Sequence, residues 1–264
     1  MTAARYLRLY RVFARNNLVR ELEFRGNFWA KLFTNVGWLV SYLLYIEILF
    51  ANTDSLGGWN KGEVFLLFGT FVFARAWMDI LFTQNMGKIP ELVRMGTMDF
   101  VLTKPVPSQF YVSARYLSLD ELGSLLGAGG IIAYALSLLQ RVPTAGQALL
   151  WLLLVVCGVA ILYALQLLLM TLSFWLVRID NLSALTDTVV FVGRYPPDIF
   201  PRVLSFGLTF VLPLAFIAAV PTKALLGTLG PGMVAAALAI AGAFLLAAAL
   251  FWRYATRAYT SASS

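Results

Sequence analysis

The sequence predicts an all-α integral membrane protein with six transmembrane helices. Three observations carry that expectation. First, 60% of the 264 residues are apolar and only 12% are charged, with a mean hydropathy of +0.79, whereas soluble domains run near half apolar and a quarter charged. Second, the apolar residues fall in runs of about 20, the length that crosses the hydrocarbon core as a helix. Third, Lys and Arg collect in alternate connections, as they do in chains that thread a membrane. The length suits one domain, 1–264, rather than several.

The segment 3–26 is basic. On a helix Arg8, Arg11 and Arg15 share one face, and Tyr6, Leu9, Tyr10 and Phe13 share the opposite one. That pattern fits an amphipathic interfacial helix with its arginines on lipid phosphates. It lacks the short charged tip and cleavage site of a signal peptide. Spans are expected at 28–50 and 64–83, separated by a polar turn, Asn52 to Gly58. The stretch 84–109 is too charged for lipid. There Pro90 opens a helix, Gly96 stops it, and Pro105 and Pro107 break the chain again, so one or two short helices are expected. Ile89, Leu92, Val93, Phe100, Val101 and Leu102 make this segment apolar outside the membrane, for packing on a cytoplasmic partner or against headgroups.

Further spans are expected at 116–139, at 148–177, which is long enough to tilt, and at 232–253. Between them, 181–221 admits two readings. Either 178–202 is a loop and 203–220 spans, or the chain crosses near 181–196 and 203–220 dips in and out as a re-entrant hairpin. Pro213 and Pro221 interrupt the apolar piece, and irregular backbone in lipid needs protein or water to cover it. In the last span Ala235, Ala239, Ala243 and Ala247 repeat every four residues beside Gly242, a small-residue stripe of the kind that lets helices approach closely.

Orientation follows from the cations. Arg5, Arg8, Arg11, Arg15, Arg20, Arg25 and Lys31 precede the first span, Lys88, Arg94, Lys104 and Arg115 follow the second, and Arg253 and Arg257 follow the last. The opposite loops hold Lys61, Arg141 and Lys223. Both termini and 84–115 are therefore expected in the cytoplasm. The same topology accounts for the net charge of +7, and no nucleic-acid module is visible.

Several chemistries are excluded. The chain has no histidine and one cysteine, Cys157, which removes serine–histidine hydrolysis, a disulfide framework and the common zinc sites. No Gly-x-Gly-Asp element of an intramembrane aspartyl protease and no G-x-x-x-x-G-K-[ST] phosphate loop occurs, so the chain hydrolyses no ATP by that route. Ionisable groups within spans are costly and face protein or water. Arg75 and Asp79, four apart, share a helical face and neutralise each other. With Glu47 and Gln166 they are candidates for a translocation path or for a structural ion pair. Asp120 and Glu121 lie within reach of Arg115.

Leu92-Val-Arg-Met-Gly-Thr-Met-Asp99, followed by Val101-Leu-Thr-Lys-Pro105, resembles the cytoplasmic motif of ABC-2-type permeases, in the bacterial branch with Gly-Thr-x-Asp and then Leu-x-x-Pro. Arg194-Tyr-Pro196, Ile199-Phe-Pro201, Pro213-x-Ala-Phe216 and Pro221 resemble a later signature of the same branch. The resemblance covers essentially the whole chain. It implies a permease, mostly an exporter, in a bacterial inner membrane, paired with a second permease, the same or homologous. Two separate ATPase subunits would bind ATP and Mg, and this chain would carry no cofactor. It also implies that 88–104 is a coupling helix seated on the ATPase, with Ile89, Glu91, Leu92, Arg94, Gly96, Asp99 and Lys104 at the contact. The re-entrant hairpin becomes the expected form of the region before the last span. An ion-gradient-driven transporter using Arg75, Asp79 and Glu47 is the alternative, as is a scaffold without transport.

Overall fold

Two of the long helices open on reciprocal side-chain caps in this computed structural model, which describes residues 10–13, 15, 17, 25–176 and 182–259. Helix α1 runs Arg25–Phe50 and stops at the polar turn. Asn60 then caps α2, Lys61–Met78: its side chain accepts from the Glu63 amide at 3.0 Å, and the Glu63 carboxylate accepts from the Asn60 amide at 2.9 Å. Such a reciprocal box satisfies two amides that have no helical partner. α2 continues through a π turn, Asp79–Thr83, to Met86. Two short helices follow, α3 (Ile89–Arg94) and α4 (Met98–Leu102), joined at Gly96 with φ +68°, a left-handed turn that glycine adopts without steric cost.

Next come α5 (Ser108–Ala114), α6 (Leu122–Leu138) behind a 3₁₀ turn at Leu119–Glu121, and α7 (Ala145–Thr171), which Thr144 and Gln147 open with a second capping box. α8 spans Leu182–Phe191. α9 (Arg202–Phe206) runs into a π turn that ends at Val211, and α10 covers Ala219–Leu225. α11, Pro231–Ala258, begins with proline at its first turn, where the missing N–H costs nothing. The described residues hold no strand, only a Leu56–Trp59 bridge.

Five helical stretches are long and apolar enough to cross a membrane: Phe33–Phe50, Lys61–Arg94, Leu119–Leu138, Ala145–Phe174 and Pro231–Ala258. Arg202–Val211 and Leu214–Leu225 form a pair bent by 68°, and counting it as one span makes six. The start of the second limb is covered by protein, since Pro213, Leu214, Ala215, Phe216, Ile217 and Ala218 are all buried, while Leu212 at the bend is 40% exposed. Irregular backbone in lipid needs such cover. Gly158 on α7 admits this limb. A Cβ there would lie 3.0 Å from both the Ile217 Cα and the Phe216 carbonyl.

The loops sort into two ends. At one, the Trp59 indole donates to Asp198 at 2.8 Å, Lys223 lies 3.6 Å from Asp198, and Arg141 donates to the Leu226 carbonyl at 2.6 Å. At the other, the Trp252 indole donates to Ser108 at 3.1 Å and packs edge-on against Phe174. The chain therefore passes from one end to the other between 176 and 198. The buried Asn85 amide ties the foot of α2 to the strap before α6: it donates to the Tyr116 carbonyl and accepts from the Tyr116 amide, both at 2.7 Å.

Two expectations need correction. The apolar residues of 84–109 do not all await a partner. Ile89, Val93 and Val101 are buried with Met98 in the chain's own core, because α3 and α4 lie across the foot of the bundle and α3 packs on the Leu172–Phe174 turn. Phe100, Met95 and Leu102 are the outward ones, 71%, 64% and 37% exposed. The alanine stripe of α11 also points away from this chain. Ala235, Ala239, Ala243 and Ala247 are exposed, while Ala237, Ala241, Ala248 and Trp252 face the interior, where α11 packs on α7. The expected interfacial helix, 3–26, lies mostly outside the described residues. Within the described part, Asn17 donates to the Arg115 carbonyl at 3.1 Å, and the rings of Phe13 and Tyr111 meet edge-on.

Candidate functional site

Charges placed inside apolar spans must find partners, and here they find them across three elements. Arg75 and Asp79 stack one turn apart on α2, with Arg75 Nε donating to Asp79 Oδ2 at 2.8 Å. α8 brings Asp187 to the other side of the guanidinium, where Arg75 Nη2 donates to Asp187 Oδ1 at 2.7 Å. The Arg75 and Asp79 side chains are only 18% and 21% exposed, and Asp187 is 41% exposed. The π turn begins at Asp79 and ends at Thr83, whose hydroxyl donates to Asp79 Oδ1 at 2.6 Å. Single π turns of this kind recur at functional sites. This one also leaves the Ile80 carbonyl to accept from the Ser118 amide at 3.1 Å. The buried Gln166 on α7 extends the polar chain, its Oε1 lying 3.4 Å from the Thr83 hydroxyl.

These groups border a cavity of about 250 Å³ between α1, α2, α6 and α8. Arg75, Asp79 and Asp187 share its wall with Glu121 and Arg194, and Trp38, Tyr42, Phe68, Phe71 and Phe191 supply aromatic surface. Glu121 accepts from Asn35 Nδ2 at 3.1 Å and from the Ser124 hydroxyl at 2.9 Å. Arg194 lies with its guanidinium 4.7 Å from the Tyr42 ring centre. From Phe68 to Asp79 the wall runs about 16 Å along α2 at 1.5 Å per residue. The cavity is thus a tall slot rather than a surface dimple. Its charged groups offer binding and ordering of polar ligand atoms. No nucleophile–base pair is among them.

A second, larger cavity of about 1010 Å³ lies between α2, α5 and α7. Among the described residues no charged side chain lines it, and its polar corner is the Tyr163 hydroxyl, which accepts from Gln109 Nε2 at 3.1 Å and meets the Ser113 hydroxyl at 2.9 Å.

Of the residues expected in a translocation path, Arg75 and Asp79 line the charged slot. Gln166 stands behind it, linked through Thr83. Glu47 is elsewhere, paired with Lys61 near the end of the bundle that holds Asp198. Glu121 turns to Asn35 and Ser124, and the Arg115 guanidinium lies over the rings of Tyr111 and Tyr116. In 88–104, Ile89 is fully buried and Leu92 partly so, while Glu91, Arg94 and Lys104 are exposed and Asp99 is half-buried. The Lys104 ammonium sits 5.2 Å from the Tyr111 ring centre.

Sequence reasoning missed Asp187, Glu121 and Arg194 as members of one site. A signal existed for Asp187. An acid in a short apolar segment needs a cation, and Arg75 is the mid-span cation with donors to spare for two carboxylates. No sequence spacing links α6 or the turn after α8 to Arg75.

A family model described as ABC-2 family transporter protein matches residues 36–263, a stretch that contains all of the slot's lining but Asn35, together with α3, α4 and the bent pair. No curated protein and no solved structure matches the chain.

Proposed function

The chain belongs to the ABC-2 family of transporter proteins, and from that premise we propose that it is one permease of an ATP-driven exporter, with the slot between α1, α2, α6 and α8 as its substrate chamber. Family membership makes it an ABC transporter permease, a multi-pass membrane subunit of the kind that associates with ATPase subunits. The rest is our reading. A second permease, the same or homologous, completes the path. The partner ATPases hold ATP and Mg, and this chain holds no cofactor. The end bearing Lys88, Arg94, Lys104, Arg115, Arg253 and Arg257 faces the cytoplasm of a bacterial cell across its inner membrane, which the excess of cations at that end supports.

The observation that carries the chamber is the cluster of five ionisable side chains, Arg75, Asp79, Glu121, Asp187 and Arg194, bordering one cavity between the helices. Coupling would run through 88–104. Glu91, Arg94, Asp99 and Lys104 offer polar contacts, and Met95 and Phe100 supply apolar ones. Ile89 acts from behind by seating α3 on the bundle, Leu92 flanks it, and Gly96 sets the angle between α3 and α4.

The test is co-reconstitution of the permease with the ATPase that co-purifies with it. Leu92→Asp, and Gly96→Pro, which cannot keep φ +68° and so re-angles α3 against α4, should leave the spanning helices inserted while abolishing transport-coupled ATPase activity. Undiminished coupling in both variants overturns the coupling assignment. Gradient-driven uptake by the chain alone, without ATP, overturns the ATP-driven reading.

A further inference from the structure

One charged side chain lining the slot is left unanswered by its neighbours. Asp79 and Asp187 both hold Arg75, and Glu121 has its two donors. Among the described residues no carboxylate pairs with Arg194. Its guanidinium rests against the rings of Tyr42, Phe191 and Tyr195 at 4.7, 5.2 and 5.1 Å. Its Nη2 reaches the Tyr195 hydroxyl at 3.3 Å, and its buried Nε has no acceptor.

A guanidinium stays charged and carries five donors in a fixed fork. Ring faces answer part of the charge but leave most of those donors unmatched. Nor is Arg194 placed where headgroup water would satisfy it for free: Tyr42 lies about 12 Å along α1 from Phe50. A cation held at that depth with open donors is a functional feature by default.

We propose that Arg194 is an oxyanion-recognition residue, and that the chamber takes a carboxylate- or phosphate-class group carried on an apolar body. The proposal rests on the slot being the substrate chamber. The oxyanion would meet the open edge of the guanidinium, and the apolar part would lie against Trp38, Phe68 and Phe71. Counting charges alone favours a cation, since three carboxylates face two guanidiniums. Donor accounting decides otherwise, because every carboxylate already accepts hydrogen bonds and Arg194 does not have an acceptor to match its charge. The volume agrees with a head group rather than a whole drug-sized molecule, for which pockets run roughly 300–1,000 Å³.

The experiment is equilibrium dialysis of the purified full chain in dodecyl maltoside, a detergent without phosphate, against hexyl phosphate and against hexyltrimethylammonium. Wild type is compared with Arg194→Gln, Arg194→Lys and the slot-filling Val72→Trp, with thermal unfolding to establish that each is folded. Hexyl phosphate should bind saturably to wild type and about tenfold more weakly to Arg194→Gln. It should bind with intermediate affinity to Arg194→Lys and not at all to Val72→Trp. Added phosphatidylglycerol that competes assigns the oxyanion to a lipid headgroup, and failure to compete assigns it to a soluble molecule. Either result keeps the proposal. Equal phosphate binding by wild type and Arg194→Gln overturns it. So does binding of the cationic probe alone, and if Val72→Trp abolishes that binding the chamber itself stands. If neither probe responds to Val72→Trp, the chamber reading falls as well.

Discussion

Arg75→Met separates what the central ion pair does for the fold from what it does for transport. The substitution keeps an unbranched side chain of similar reach and removes the charge. Asp79, about four-fifths buried, is then left without its cation and keeps only the Thr83 hydroxyl. Breaking a buried pair from one side costs about 3–5 kcal/mol, because a charge is stranded in low dielectric. Asp187 is 41% exposed, so its loss adds at most about 1 kcal/mol. Replacing both partners, Arg75→Met with Asp79→Leu, strands no charge on α2 and should recover about 2 kcal/mol or more of that loss. The assay is unfolding of the purified chain in mixed micelles by titration with sodium dodecyl sulfate, followed by circular dichroism. Transport with the ATPase is measured on the same preparations. The double variant should fold nearly as well as wild type yet transport poorly, because the slot has lost two of its charged groups. An Arg75→Met variant within about 0.5 kcal/mol of wild type would refute the energetic reasoning. A double variant that transports normally would reduce the pair to a structural role.

Gly158→Ala should destabilise the chain by about 1–3 kcal/mol in the same titration, since its Cβ meets backbone atoms of Phe216 and Ile217 rather than a side chain that can swing aside. Asn85→Leu leaves the Tyr116 amide and carbonyl without their buried partner and should cost about 2–4 kcal/mol. Restored stability in Asn85→Leu combined with any change outside 81–118 would argue against the local account.

What the sequence showed and what it hid divide along a physical line. The long helices were legible because apolar run length acts locally, while the residues that open three of them, Asn60 with Glu63, Thr144 with Gln147, and Pro231, went unread although they too are local signals. The Arg75–Asp79 pair was legible for the same reason, being one helical turn apart. Asp187 and Arg194 joined the site only because α8 packs on α7 and the turn after it on α2, which brings them to Arg75 and Tyr42 across more than a hundred residues, a contact no periodicity encodes. The alanine stripe, Ala235 to Ala247, lies on the face of α11 turned away from this chain, and its spacing alone does not say which face the bundle covers. The interior face instead steps through Ala237, Ala241, Ala248, Trp252 and Ala255, mixing threes and fours. That mixture is what keeps one face against a neighbouring helix.

The same distinction bears on 84–109. Apolar residues in a segment outside lipid imply a partner, but composition alone does not say whose. The structure divides them by alternation along α3 and α4. Ile89, Val93, Met98 and Val101 turn into the bundle, and Met95 and Phe100 turn out. A segment held from within by four buried side chains is a firm platform, and α2 runs from it through the π turn at Asp79 into the wall of the slot. Force applied at α3 therefore has one continuous helix along which to reach Arg75. The hydrogen bonds of Thr83 and Asn85 brace that helix on either side of the turn's end. In the proposed function, the coupling segment and the chamber are then joined by α2 and the two-residue turn Gly87–Lys88 rather than by a long loop.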